Sequence, residues 1–308
     1  MRVLAVRLSA LGDVIHTLPA VVALRAAGLE IDWVVEAPYR ELVELVGGVT
    51  AIPVSLKRWS RTPRADAAAI SAAWRALRGH EAAIDFQGLI KSALLARLSG
   101  ASRRYGFERT AIREAPARLF LNRSIAIDQS RHVVDWNRQL AAGAARELAG
   151  TATLPDVEPD LALFAADPEG KLAALRGRIV LLPGAGKREK LWPVERFAAL
   201  AHQLGDRALA VWGPGEEALA HAIGAELAPP TNLRQLACLL RHAALVIGAD
   251  TGPLHLAAAL GTPVLGLYGP TDPRRNGPYG QLASVVSSFG GDRSMASITV
   301  DSVLAALR

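Results

Sequence analysis

Two patterns alternate along the chain: continuous apolar runs of strand length, and longer stretches in which apolar residues return every three or four positions, as on a helix face. Arg2–Leu8 is the first run, ending in the turn Ser9–Asp13, and a helix pattern from Val14 towards Ala27 follows with Ile15, Leu18, Val22 and Leu24 on its apolar face. Runs at 31–35, 51–56 and 82–86 alternate with helix patterns at 39–46, 65–77 and 131–148, and a further helix opens at Gln87–Ser92. The texture changes between Leu154 and Leu172, where Pro155, Pro159 and Pro168 mix with acidic residues, as at a domain boundary. A second series then begins, with runs at 179–182, 207–212, 243–247 and 264–268 separated by helix patterns at 194–204, 218–227, 233–242 and 254–260, and closed by one at 300–307. Strands separated by helices predict an α/β chain of two open parallel sheets with a cleft between their carboxyl edges.

Length permits this, since 308 residues suffice for two domains with separate cores. Charge then distinguishes the halves. Residues 1–150 hold 21 Lys and Arg against 14 Asp and Glu, whereas residues 151–308 hold 14 against 15, so the basic excess belongs to the first half and suits an anionic partner. A solubilising surface would give the same count. The single cysteine, Cys238, excludes an internal disulfide and fits a buried thiol in a reducing cytoplasm. Arg7, Asp13 and His16 interrupt the N-terminal apolar run, so it does not read as a signal peptide, and no later run has the length of a membrane span.

Candidate chemistry gathers at strand ends. Gly248–His255 reads as strand, tight turn and helix, with Thr251 as N-cap, Pro253 in the first turn, and Gly252 presenting backbone N–H groups of the kind that attract phosphate. Asp250 stands at the carboxyl end of that strand, where open α/β sheets bind ligands. Asp13 sits at a turn–helix junction, either capping its own helix or serving as a general base. The turn Pro183–Lys190 is glycine-rich and cationic, but has neither Walker A nor G-x-G-x-x-G spacing. Lys57, Arg58, Arg61 and Arg64 surround Trp59 in a polar loop after a strand, suited to gripping phosphates or carboxylates. Lys91 lies near a helix start, where a cation is mildly unfavourable, and Glu216-Glu217 open another helix, the pair as dipole compensation or Glu217 as an adenine or ribose contact.

Five ordered motifs together resemble one family. Ser9–His16, Asp85–Ser92, Lys190–Pro193, Asp250–His255 and Tyr268–Pro273 are similar to stretches of the ADP-heptose:lipopolysaccharide heptosyltransferases, nearly end to end. Arg58-Trp59, and Arg113-Glu114 followed by Phe120–Arg123, look more like the heptosyltransferase I branch than the later ones. The resemblance implies a GT-B type fold of two Rossmann-like doubly wound parallel-sheet domains facing a central cleft. Its expected division is 1–155 for the acceptor, 156–174 as linker, 175–295 for ADP-heptose, and 296–308 as a C-terminal helix packing back towards the N-terminal domain. It implies an inverting transfer of L-glycero-D-manno-heptose from ADP-heptose to a Kdo residue of Kdo2-lipid A, at the inner leaflet of the cytoplasmic membrane. The protein would be cytoplasmic and peripheral, with ADP-heptose a substrate rather than a cofactor, no required metal and no nucleic acid.

Carried over by position, Asp13 is the base and Lys190 neutralises the leaving diphosphate. Gly186, Lys187, Glu217, Asp250, Thr251, Gly252 and His255 belong to the donor site, and Lys57, Arg58, Arg61, Arg64, Lys91 and Arg113 to the acceptor site. One departure stands out: Ala185-Gly186 replaces an expected Thr-Thr pair, leaving diphosphate contact to backbone N–H groups and Lys187. A later heptosyltransferase acting on a heptosylated core, a GT-B-like sugar-nucleotide epimerase or hydrolase, and a non-catalytic binding module stay open as alternatives.

Overall fold

The apolar runs form two six-stranded sheets in which every neighbouring pair is parallel. A computed structural model describes residues 1–151 and 153–307; Ala152, in the expected first domain, and Arg308, at the end of the expected C-terminal helix, lie outside the described residues. The chain divides into two compact units, Met1–Asp160 and Leu161–Arg308.

In the first unit β1 (Arg2–Val6), β2 (Glu30–Glu36), β3 (Thr50–Val54), β4 (Ala82–Asp85), β5 (Arg103–Phe107) and β6 (Arg123–Ile125) take the order β3-β2-β1-β4-β5-β6. The second unit repeats this order with β7 (Ile179–Leu182), β8 (Ala208–Ala210), β9 (Glu226–Leu227), β10 (Leu245–Ala249), β11 (Val264–Tyr268) and β12 (Val285–Ser287), as β12-β11-β10-β7-β8-β9. Central strands are covered by helices on both faces, so they are apolar throughout rather than alternating. Val3, Leu4, Ala5 and Val6 are all fully buried, and Leu181, Ile247 and Leu267 anchor the second core. Strand order reverses between β1 and β4 in one sheet and between β7 and β10 in the other. The loops leaving those strands are therefore the place where open α/β sheets of this kind form ligand crevices.

Several boundaries differ from expectation. The helix expected from Val14 to Ala27 is two helices, Leu11–Ile15 and Leu18–Ala26, because Pro19 begins the second and cannot continue the first. The cationic loop after β3 is partly helical, at Leu56–Trp59. The helix expected to reach Leu227 ends at His221, and Glu226–Leu227 instead pairs with β8 as an edge strand. Most of the expected linker packs into the second unit, where Leu161, Phe164 and Leu172 are buried. The C-terminal helix, Val300–Ala305, belongs to the second unit as well, because its apolar face is needed there: Val303 is fully buried in the cluster that contains Trp192, Phe197 and Leu200.

Candidate active site

The candidate site of the first unit forms where β1 and β4 end. Arg7 follows β1 directly and is buried; its Nη1 donates to the carbonyl of Phe86, after β4, and Leu8 N donates to Gln87 Oε1 at 2.8 Å. These bonds lock the two loops together. Asp13 lies inside the short helix Leu11–Ile15, whose N-cap is Ala10; it is not itself the N-cap, although its carboxylate also accepts from the Ala10 backbone. It meets two cations: Arg7 Nη2 stands 2.7 Å from Oδ1, and Arg113 reaches Oδ1 at 3.0 Å and Oδ2 at 3.2 Å. Burial alone would push this carboxyl's pKa up, but the charges of Arg7 and then Arg113 outweigh it and hold Asp13 below the usual carboxylate range.

Asp85, the last residue of β4, is sealed. It accepts from Gln87 N at 2.9 Å, Gly88 N at 3.2 Å and Ser92 Oγ at 3.1 Å. Burial outweighs these bonds and raises its pKa to about 6. Gly88 has φ +68°, and a Cβ there would stand 3.2 Å from Arg113 N, so only glycine lets the β4 loop lie this close to the segment bearing Arg113.

The other acceptor candidates do not converge on Asp13 in this way. Lys57, Arg58, Arg61 and Arg64 are exposed beyond β3, and Arg58 is already paired with Asp66 at 2.7 Å. Lys91 is exposed at the start of the helix after β4. Its charge is felt by Glu36 at the end of β2, whose pKa is raised by burial against the pull of the Leu56 N–H and Lys91.

The candidate site of the second unit forms where β7 and β10 end. Lys190 Nζ lies 2.6 Å from Asp250 Oδ2, and His255 Nε2 lies 2.9 Å from Asp250 Oδ1. Asp250 is thus bonded on both oxygens. Burial opposes its ionisation, but bonding to His255 and then Lys190 wins and sets its pKa well below the usual range. Two residues after Lys190, Trp192 anchors the segment: it is buried edge-on to Phe197 and donates to Ile298 O at 2.9 Å.

Thr251 occupies the N-cap position of the helix Gly252–Ala259, but its side chain makes no capping bond, contrary to expectation. Its backbone is extended there, and Oγ1 is buried without a hydrogen-bond partner among the described residues. A buried hydroxyl beside helix-start N–H groups suits a phosphate oxygen.

Gly186 and Lys187 sit on an exposed turn, Lys187 lying 3.6 Å from Glu189. Glu217 is exposed, 4.0 Å from His221, and does not face the loops. Its neighbour Glu216 does: its carboxylate accepts from Gly213 N at 2.9 Å and occupies the space a Cβ on Gly184 would need. It lies between the ends of β7 and β8, making it the better candidate for a nucleoside hydroxyl. Helix-start position alone does not tell which of two adjacent carboxylates turns inward, so the sequence named Glu217 where the fold turns Glu216 towards the loop ends.

Sequence reading also passed over Arg7, Asp85 and Glu216. Arg7 and Asp85 each carried a signal, a charge inside an apolar strand that burial obliges to find a partner. Among the described residues, no group of three or more His, Cys, Asp or Glu is arranged to hold a metal ion, and no helix is long and apolar enough to cross a membrane.

Residues 70–299 match glycosyltransferase family 9 (heptosyltransferase). The chain is 33% identical over 311 residues to lipopolysaccharide heptosyltransferase 1 of Escherichia coli O18:K1:H7, covering 96% of this chain and 94% of the relative. It is 36% identical over 309 residues to lipopolysaccharide heptosyltransferase 1 of Pseudomonas aeruginosa, covering 91% and 82%. Among solved structures, E. coli heptosyltransferase WaaC with ADP superposes with a TM-score of 0.83 at 32% identity, covering 100% of this chain and 99% of that one. The same enzyme with ADP-2-deoxy-2-fluoro heptose gives 0.79, again at 32% identity and with the same coverage.

Proposed function

The chain belongs to glycosyltransferase family 9, and from that premise we propose that it moves L-glycero-D-manno-heptose from ADP-heptose to a Kdo residue of Kdo2-lipid A, inverting the anomeric centre, in building the lipopolysaccharide core. The donor half of the reading is supported by the likeness to WaaC with ADP and with a fluorinated ADP-heptose. The observation that carries the mechanism is a carboxylate held anionic in one unit and a cation fixed at a phosphate-binding turn in the other.

Asp13 accepts the proton of the acceptor hydroxyl as that oxygen attacks the anomeric carbon, while the bond from that carbon to the ADP oxygen breaks. Lys190 and the N–H groups at the start of Gly252–Ala259 neutralise the departing diphosphate, a task we assign to them rather than to a metal ion. Asp250 orients Lys190, and His255 fixes Asp250. Thr251 and Gly252 receive the phosphates, and Glu216 the nucleoside. Lys57, Arg58, Arg61, Arg64 and Lys91 meet the acceptor's carboxylates and phosphates, which gives the basic first half its partner at the inner face of the cytoplasmic membrane.

Mass detection after mixing the protein with ADP-heptose and Kdo2-lipid A tests the proposal, which expects the mass of one heptose to be added. Transfer only to a heptosylated core would move the protein to a later step, and ADP-heptose turnover without an acceptor would make it a hydrolase or epimerase. Asp13→Ala should abolish transfer and leave ADP binding intact; intact transfer would remove the base.

A further inference from the structure

The helix after β4, Ile90–Leu98, is divided unusually. Ser92, Ala93, Leu95 and Ala96 are buried, while Ile90, Lys91, Leu94, Arg97 and Leu98 are exposed. At about 100° per residue, Ile90, Leu94 and Leu98 span about 80° of arc, with Arg97 just outside one edge and Lys91 just outside the other. Large apolar side chains thus form a stripe on the solvent side, at 40%, 38% and 37% exposure, between two cations. The segment Ala115–Phe120 packs against this helix and carries Leu119, 84% exposed and next to exposed Arg118. An apolar stripe bordered by long cationic side chains is how a helix lies in a membrane interface, the stripe among acyl chains and the cations reaching up to phosphates.

This face is also tied to the base. Ile90 N donates to Glu114 Oε2 at 2.7 Å, Glu114 N donates to Gly88 O at 3.0 Å, and the adjoining Arg113 grips Asp13.

We propose that the apolar stripe of Ile90–Leu98, together with Leu119, docks into the surface of an anionic phospholipid bilayer. The proposal rests on the reading above that the acceptor is lipid-borne. Charge complementarity selects this occupant: the cations beside the stripe belong to the half that holds the whole basic excess, so anionic headgroups are favoured over neutral ones. Docking here holds the linkage from Ile90 through Glu114 to Arg113 at the level of the headgroups, where a lipid-anchored sugar presents its hydroxyl.

Co-sedimentation of the full chain with vesicles of phosphatidylglycerol and phosphatidylcholine, against phosphatidylcholine alone, tests this. The wild type should bind the anionic vesicles at least tenfold more tightly, and added salt should weaken binding. Leu94→Glu combined with Leu119→Glu changes exposed positions only; it should lose at least tenfold in vesicle binding and in transfer to acceptor embedded in vesicles. Its transfer to a deacylated, soluble acceptor should stay within twofold of wild type. Arg97→Glu with Arg118→Glu, which keeps the apolar stripe, should lose the preference for anionic vesicles. Equal vesicle binding by wild type and Leu94→Glu/Leu119→Glu would overturn the proposal, as would absence of wild-type binding, or a dimer in light scattering that the double variant dissociates. Failure of the wild type on the soluble acceptor would count against the proposed reaction instead, because vesicle binding is read without any transfer.

Discussion

The guanidinium of Arg113 spans both carboxylate oxygens of Asp13, at 3.0 and 3.2 Å, from a position one hundred residues away along the chain. Asp13 must be deprotonated to accept a proton, and the two arginines keep it so by depressing its pKa. Arg113→Ala removes one of them, so the pKa of Asp13 rises and the acidic limb of kcat/KM against pH moves upward. Activity should therefore fall more at the acid end of the profile than at pH 8, while ADP affinity is unchanged. A limb that stays in place would mean that some other group titrates.

Lys190 and Asp250 act as a pair in the other unit. Lys190→Met should lower kcat about 10²- to 10³-fold, the usual cost of losing one preorganised charge that stabilises a leaving group. Asp250→Asn should also lower kcat, through loss of the lysine's position. Combining them should cost less than the product of the single effects, because the second change removes a partner already gone. Steady-state kinetics on the three variants read this, and independent, multiplying effects would dissolve the pair.

Gly248 tests the packing beneath the donor turn. In register it faces Leu182 of β7, and a Cβ added to it would stand 2.8 Å from Leu182 Cβ. That atom is fixed to its backbone and cannot swing aside. Gly248→Ala should destabilise the protein by about 1–3 kcal/mol through overpacking. Urea denaturation measures the loss, and ADP affinity should fall with it, since Asp250 follows two residues later.

Asp85 gives stability a pH dependence of its own. Its pKa is raised from 3.8 to about 6 in the folded protein, so the native state holds the proton more tightly than the unfolded chain. Its contribution is fully present below pH 3.8 and is lost as pH rises through about 6, a swing of roughly 3 kcal/mol at about 1.4 kcal/mol per unit. Asp85→Asn removes this titration, so its stability relative to wild type should improve steadily from pH 4 to pH 6. Denaturation midpoints across that range decide it, and parallel pH curves would contradict the assignment.

Much of this was legible in the chain. Continuous apolar runs identified the buried central strands, since β7 and β11 carry no charge and β1 only Arg2 at its exposed first position. The edge strands β6 (Arg123–Ile125) and β12 (Val285–Ser287) escaped, because they are short and poorly buried, so no apolar run marks them. The strand β5 escaped because Arg103 and Arg104 open it with charges. Of the site, the turns carrying Asp13, Lys190 and Asp250 were readable from their position at strand ends. The pairing of Asp13 with Arg113 was not, because long-range partners are set by the sheet order and not by spacing. Thr251 was assigned as a cap from its residue type, yet its hydroxyl makes no capping bond.

The repeated strand order has one more consequence. It makes Asp85 and Asp250 twins, each at the end of the strand across the reversal from its unit's first strand. In the first copy the carboxylate folds back onto the amides of Gln87 and Gly88, so the turn carries its own internal anion. In the second, the carboxylate is drawn away by Lys190 and His255. One architectural seat is thus plugged by the chain's own carboxylate and the other is not, so on the proposed reaction a duplicated nucleotide-binding topology offers its phosphate seat only once.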